Sequence, residues 1–130
     1  MTWQRAPVAA ALTAAFQAAD PAVAVFAVAP GTLNAPALVC TDPASVTKRT
    51  AGMGVDQAEF VVLAVVGLDQ ADELGDLLNE ADAAILADPT LGGVCYVATV
   101  TEFRNYRQLN VAGADFRAAD LAIQIGRAHV

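Results

Sequence analysis

A chain of 130 residues with 7 Lys and Arg against 14 Asp and Glu carries a formal charge of -7. That balance argues against nucleic-acid binding by phosphate neutralisation, which needs a basic surface. Apolar residues make up 56% of the chain, much of that alanine, so one domain over residues 1–130 with a thin, closely approached core is expected.

The chain from Trp3 to Ala19 reads as a helix. Pro7 stands early, where a missing N–H costs nothing, and Val8, Leu12, Ala15, Phe16 and Ala19 form the apolar stripe. Asp20-Pro21 ends it, because a residue before proline is driven out of the α region. Residues 22–28, Ala-Val-Ala-Val-Phe-Ala-Val, form a candidate strand, followed by the turn-rich Pro30-Gly31-Thr32-Leu33-Asn34 and a second short strand, Ala37 to Cys40. With so short a connection the two are expected to pair antiparallel.

Thr41 to Gln57 lacks clean periodicity and reads as a long irregular connection, with Val46-Thr47-Lys48-Arg49 as a possible short strand. Glu59 to Val66 is the strongest strand, and its near-continuous apolar character predicts cover on both faces. The segment Asp69 to Ala87 then reads as an amphipathic helix. Leu74, Leu77, Leu78, Ala81 and Ile85 recur on one side, with Asp72, Glu73, Asp76, Glu80 and Asp82 on the other. Asp69 is the expected N-cap, and Asp72 and Glu73 suit the positive end of the helix dipole.

Asp88-Pro89-Thr90-Leu91-Gly92-Gly93 is a turn, Val94 to Phe103 a strand, Arg104 to Asp115 a connection with a glycine turn signal, and Ala118 to Ile125 a last strand. In that strand Leu121, Ile123 and Ile125 share one face, while Asp120, Ala122 and Gln124 share a more polar one. The order predicts an α+β fold: a mostly antiparallel mixed sheet with an N-terminal helix and a second helix packed on one face.

Chemistry-bearing groups are sparse. The single histidine, His129, lies one residue from the end of the 130-residue chain, and the single serine is Ser45, so a Ser-His-Asp arrangement has only a terminal base to draw on. Cys40 and Cys95 sit in apolar runs without adjacent cations, which gives neither a zinc signature nor an activated nucleophile; they read as small buried hydrophobes. The carboxylates Asp69, Asp72, Glu73, Asp76 and Glu80 recur at helical spacing, which suits a cation or an acid/base pair, but a solvated face explains them as well. Gly52-Met53-Gly54 and Gly92-Gly93 match no phosphate loop. No catalytic residue, metal site or cofactor is expected, and no signal peptide or membrane-spanning segment is visible.

Lys48, Arg49, Arg104 and Arg107 fall in the predicted connections, and no basic residue occurs from Ala51 to Phe103. A protomer with an acidic helix and basic loops can meet copies of itself head to tail, closing into a ring when the rotation allows. Candidate interface residues are therefore Lys48, Arg49, Met53, Asp72, Asp76, Arg104, Tyr106 and Arg107.

The order of elements resembles the tail terminator proteins of long-tailed (siphovirus) bacteriophages. The resemblance lies in the Ala/Leu-rich first helix and the strand pair ending Pro36-Ala37-Leu38-Val39-Cys40. It continues in the helix ending Ala84-Ile85-Leu86-Ala87-Asp88, in Pro89-Thr90-Leu91-Gly92-Gly93, and in Asp115-Phe116-Arg117-Ala118-Ala119-Asp120 before the last strand. It implies a virion protein made in the host cytoplasm that forms a homo-oligomeric ring, commonly a hexamer, on the head-proximal end of the tail. Such a ring ends polymerisation of the major tail tube protein and offers a surface to a head-to-tail connector or stopper, while DNA passes through the lumen without specific binding. Another neck component, a connector or tail-completion protein, is the nearest alternative. A regulatory domain that binds a small molecule, or a small enzyme using Cys95 or Ser45, are more distant ones.

Overall fold

The computed structural model describes residues 5–20, 22–26, 35–41, 45–47, 55–93 and 97–128. The elements run α1 (Arg5–Ala19), β1 (Ala24–Phe26), β2 (Ala37–Cys40), β3 (Ser45–Thr47), β4 (Val55–Gly67), α2 (Ala71–Ala87), β5 (Val97–Val111) and β6 (Ala114–Ala128). The strands form one sheet in the order β1-β2-β4-β6-β5, with β3 also paired to β4. All pairings are antiparallel except β1 with β2. The result is the expected α+β fold with a mostly antiparallel mixed sheet, and no described helix is long and apolar enough to cross a membrane.

Both helices cover the same face of this sheet. Val8, Ala9, Leu12 and Phe16 of α1 and Leu74, Leu77, Leu78, Ala81, Ala84 and Ile85 of α2 join one core with Phe60, Val62, Ala64 and Val66 of β4 and Ala119, Leu121, Ile123 and Ile125 of β6. The helical periodicities were legible because each large buried side chain removes about 1.5–3 kcal/mol of apolar surface from water, so the stripe must be continuous. Ala19, placed on the α1 stripe from its spacing, is exposed instead. Ala64 of β4 and Ala119 of β6 stand opposite each other and are fully buried. Two such small side chains lower the sheet surface under its covering layer, as the alanine-rich composition leads one to expect.

The face away from the helices carries its own smaller apolar cluster: Ala37, Val65, Phe116 and Ala118, with Phe26, Leu63, Leu109 and Val111 partly buried around it. This explains the unbroken apolar run in β4. Alternate residues of that strand feed two different clusters, Phe60, Val62, Ala64 and Val66 on one side and Leu63 and Val65 on the other.

Several boundaries and one pairing differ from the sequence expectation. β1 and β2 run parallel, with Ala24, Val25 and Phe26 opposite Ala37, Leu38 and Val39. The strands are so short, roughly 10 Å at 3.3 Å per residue, that the ten intervening residues 27–36 are long enough for the chain to travel back and start again in the same direction. The segment Thr41 to Gln57 is not wholly irregular, since Ser45–Thr47 and the first residues of β4 lie within it. β5 and β6 are each 15 residues long and join in a hairpin at Ala112-Gly113, so Arg104 and Arg107 lie within a strand and not in a connection.

The N-cap of α2 is Gln70, not Asp69, and its side chain makes no cap hydrogen bond. The amide reaches backwards instead: the Gly67 N–H donates to Gln70 Oε1 at 3.0 Å, and the Gln70 N–H donates to the Gly67 carbonyl at 3.0 Å. This reciprocal pair closes the turn from β4 into α2 and leaves Asp69 on its exposed outer side. Asp72 and Glu73 do occupy the first helical turn.

Candidate functional site

The most densely interacting group of polar side chains lies on the helix-free face, where β5, β6 and β4 run side by side. Alternation along β6 puts Asp120, Ala122 and Gln124 on that face, and the register sets Arg104 opposite Asp120 and Glu102 opposite Ala122 on one flank, with Glu59 opposite Gln124 on the other. The Arg104 guanidinium pairs with Glu102 of its own strand at 2.8 Å and reaches across β6 to pair with Glu59 of β4. Ala122 lies between these partners, small and fully buried, so the long side chain passes over it. The two carboxylates raise the already high Arg104 pKa, mainly through their hydrogen bonds.

A β-bulge builds the second half of the group. Between Arg104 and Arg107 the β5 strand advances three residues while β6 advances two, from Asp120 to Ala118. Asn105 takes up the extra residue with φ 57, a left-handed conformation that Asn tolerates better than most residues. Its side-chain amide donates to Asp120 Oδ2 at 3.0 Å, and Arg107 Nη1 donates to Asp120 Oδ1 at 3.1 Å and to the Asn105 carbonyl at 2.7 Å. Both oxygens of Asp120 are thus held by the bulge, and its side chain is only 13% exposed. The bulge leaves Tyr106 standing outward at 61% exposure, beside an open depression lined by Asn105, Arg107 and Asp120. Re-aiming one side chain out of an edge strand is a recurrent use of bulges.

Of the residues chosen from sequence, Arg104, Tyr106 and Arg107 are brought together here. Asp72 and Asp76 lie on the exposed side of α2, in the layer on the other side of the sheet, and do not join them. Lys48, Arg49 and Met53 lie outside the described residues, as do Cys95 and His129. Cys40 is fully buried in β2. Sequence reading missed Glu59, Glu102, Asn105 and Asp120. The polar alternation of β6 pointed to Asp120, but no local pattern joins Glu59 to a residue 45 positions later.

The pairing also alters the charge argument. Arg104 and Arg107 spend their donors on Glu59, Glu102 and Asp120, and Arg117 donates to the Leu68 carbonyl at 3.1 Å. The acidic side of α2 has no such compensation: Asp72, Glu73, Asp76 and Glu80 are exposed and none appears in an ion pair among the described residues. No three His, Cys, Asp or Glu side chains gather as a metal-holding group among the described residues.

The turn between α2 and β5 is a second tightly specified place. Leu91, Gly92 and Gly93 have φ of 50, 69 and 89 in succession. The chain is held there by Leu91 N–H to the Asp88 carbonyl and Gly93 N–H to the Thr90 carbonyl, both at 3.0 Å. Leu91, only 3% exposed, plugs the turn into the helix-side core, and the Pro89 carbonyl accepts from Ala98 N–H.

The fold and this surface describe a class: a one-sided α+β sheet protein with a long, bulged edge hairpin and a charge-compensated outer face. No protein-family model matches the chain, and no curated protein matches it in sequence.

Proposed function

We propose that the chain is a structural virion protein, the tail terminator that caps the head-proximal end of a siphovirus tail tube as a homo-oligomeric ring. The observation that carries this reading is the one-sided sheet. Helices cover one face, while the other combines a partly covered apolar cluster and a charge network that is already satisfied, and the sheet ends on an edge strand 15 residues long that carries the exposed Tyr106. A long open edge is a ready template for association unless it is managed, and Tyr and Arg are the side chains enriched at protein interfaces. The resemblance through the Asp88–Gly93 turn and the order of elements supplies the partners: further copies of the chain, the last ring of the tube, and a head-to-tail connector. No catalytic step is assigned.

The structure does change how such a ring would be held. Arg104 and Arg107 are engaged within their own chain, so neither stands as a free cation for the acidic helix of a neighbour. Exposed ion pairs contribute about 0–1 kcal/mol in any case. Shape and apolar contact around Tyr106, Leu109 and Val111 are the stronger basis for contact.

Electron micrographs of tails assembled with and without the protein test the reading. Tubes longer than normal in its absence are expected, and tubes of unchanged length would overturn it. A connector or tail-completion role predicts tails of normal length that fail to join heads.

A further inference from the structure

The two most exposed large apolar side chains among the described residues are Leu86 at 72% and Tyr106 at 61%, and they belong to opposite layers of the fold. Leu86 lies on the last turn of α2, outside the buried stripe of Leu74, Leu77, Leu78, Ala81 and Ile85. Exposed Ala83 and Ala87 flank it, and exposed Pro89 follows the helix end. The outer side of α2 is thus divided along its length: Asp72, Asp76 and Glu80 stand on its earlier turns, and an apolar knob stands on the last. A lone exposed leucine is ordinary, but this one has a rigid support. The turn that follows it, with three successive positive φ values, is plugged into the core by Leu91.

Tyr106 is fixed from both sides. The Asp120 carboxylate holds Asn105 and Arg107 around it, and the open depression beside it, about 480 Å³ in volume, has room for an aliphatic side chain. Both hydrogen bonds that the Arg107 side chain makes among the described residues leave from Nη1. Its charge is answered by Asp120, while its Nε and Nη2 donors are unspent there.

Charge selects how copies of the chain can meet. At -7 the chain repels its own copies over most of its surface. A contact of α2 with α2 would set Asp82 and Asp88, on either side of Leu86 in the sequence, against their equivalents. A contact of α2 with the β5 bulge sets the same carboxylates beside the Arg107 donors, and Leu86 beside the Tyr106 ring. Because knob and depression lie on opposite layers, such a contact is heterologous: each copy gives one and receives the other, and the series closes into a ring or runs on as a filament.

We propose that the end of α2 and the β5 bulge form the repeating contact between copies of this chain, with Leu86 of one copy seated in the Asn105–Asp120 depression against Tyr106 of the next. This contact presupposes the homo-oligomeric ring and names the two surfaces that meet in it. Leu86 and Tyr106 are its anchors, and Asp82 and Asp88 facing Arg107 set its orientation.

Complementary substitutions test it, read by sedimentation of the full chain over a range of concentrations and with tail tubes present. Leu86→Lys brings a charge to the depression, and Tyr106→Glu removes the ring that receives Leu86. Both positions are exposed, so unfolding midpoints close to that of the unaltered protein are expected. Each variant alone is expected to associate at least about tenfold more weakly. An equal mixture of the two is expected to recover association. In alternating order the introduced lysine meets the introduced carboxylate, and the original Leu86 and Tyr106 meet at the next contact. Full association of either variant alone, or no recovery in the mixture, would overturn this contact and leave the ring reading in place. An unaltered chain that neither self-associates nor binds tubes would overturn both.

Discussion

Ala112 holds the first central position of the β5–β6 hairpin with φ 52, and Gly113 the second with φ 84, between the paired residues Val111 and Ala114. Positive φ at both central positions is the two-residue turn whose twist matches that of paired strands, and Asn-Gly is its preferred sequence. An alanine there bears a cost of about 1–2 kcal/mol for the left-handed conformation. Ala112→Asn is therefore expected to stabilise the protein by about 0.5–1 kcal/mol, measured as a higher urea midpoint with an unchanged slope. At the bulge, Asp120 and Glu102 form a contrasting pair. Asp120 is nearly buried and holds Asn105 and Arg107, whereas the Glu102 side chain is 54% exposed. Asp120→Ala is expected to cost about 1–2 kcal/mol because it orphans two partners, and Glu102→Ala at most about 0.5 kcal/mol. Equal costs in denaturant titrations would refute this ranking.

At the scale of elements, strong periodicity was a good guide and paired geometry was not. α2 was placed within two residues of its start because Leu74, Leu77, Leu78, Ala81 and Ile85 must all face one core. The strand β4 was recognisable from its apolar run, yet it is longer than that run because its first residues are held by β3 and β6 pairing and not by their own hydrophobicity. β5 was cut short at Phe103 for an identifiable reason. Two register shifts, at Val100/Glu102 and Arg104/Arg107, each insert one residue and reverse the inside-outside phase, so alternation read along the sequence stops where the strand continues. The same bulges interrupt the ladder that a foreign strand would need, which moderates the open edge. Tyr106 stands on the second of them, and Tyr106→Ala is expected to leave the unfolding midpoint within about 0.5 kcal/mol of the original, as for exposed positions generally. Under the proposed function it should weaken self-association or attachment to tail tubes, read by sedimentation. Unchanged association would remove Tyr106 from the interface.

For the whole molecule, the two layers separate two kinds of surface. The helix layer presents acid that pairs with no cation among the described residues, and the outer sheet face presents arginines already paired with carboxylates. The sequence alone set four basic residues against an acidic helix; two of them, Arg104 and Arg107, are paired within their own sheet, because charges counted along a chain carry no record of which ones meet, and Lys48 and Arg49 lie outside the described residues. The helical stripes, the central strand and the α+β class were determined locally: burial imposes a period of 3.6 or 2 on successive residues, and that period is written in neighbouring positions. The parallel β1–β2 pair, the phase-shifting bulges and the reach of Arg104 over Ala122 to Glu59 were decided only by the tertiary structure. Each depends on which distant strand lies alongside, and backbone pairing leaves no periodic trace in the residues that it joins.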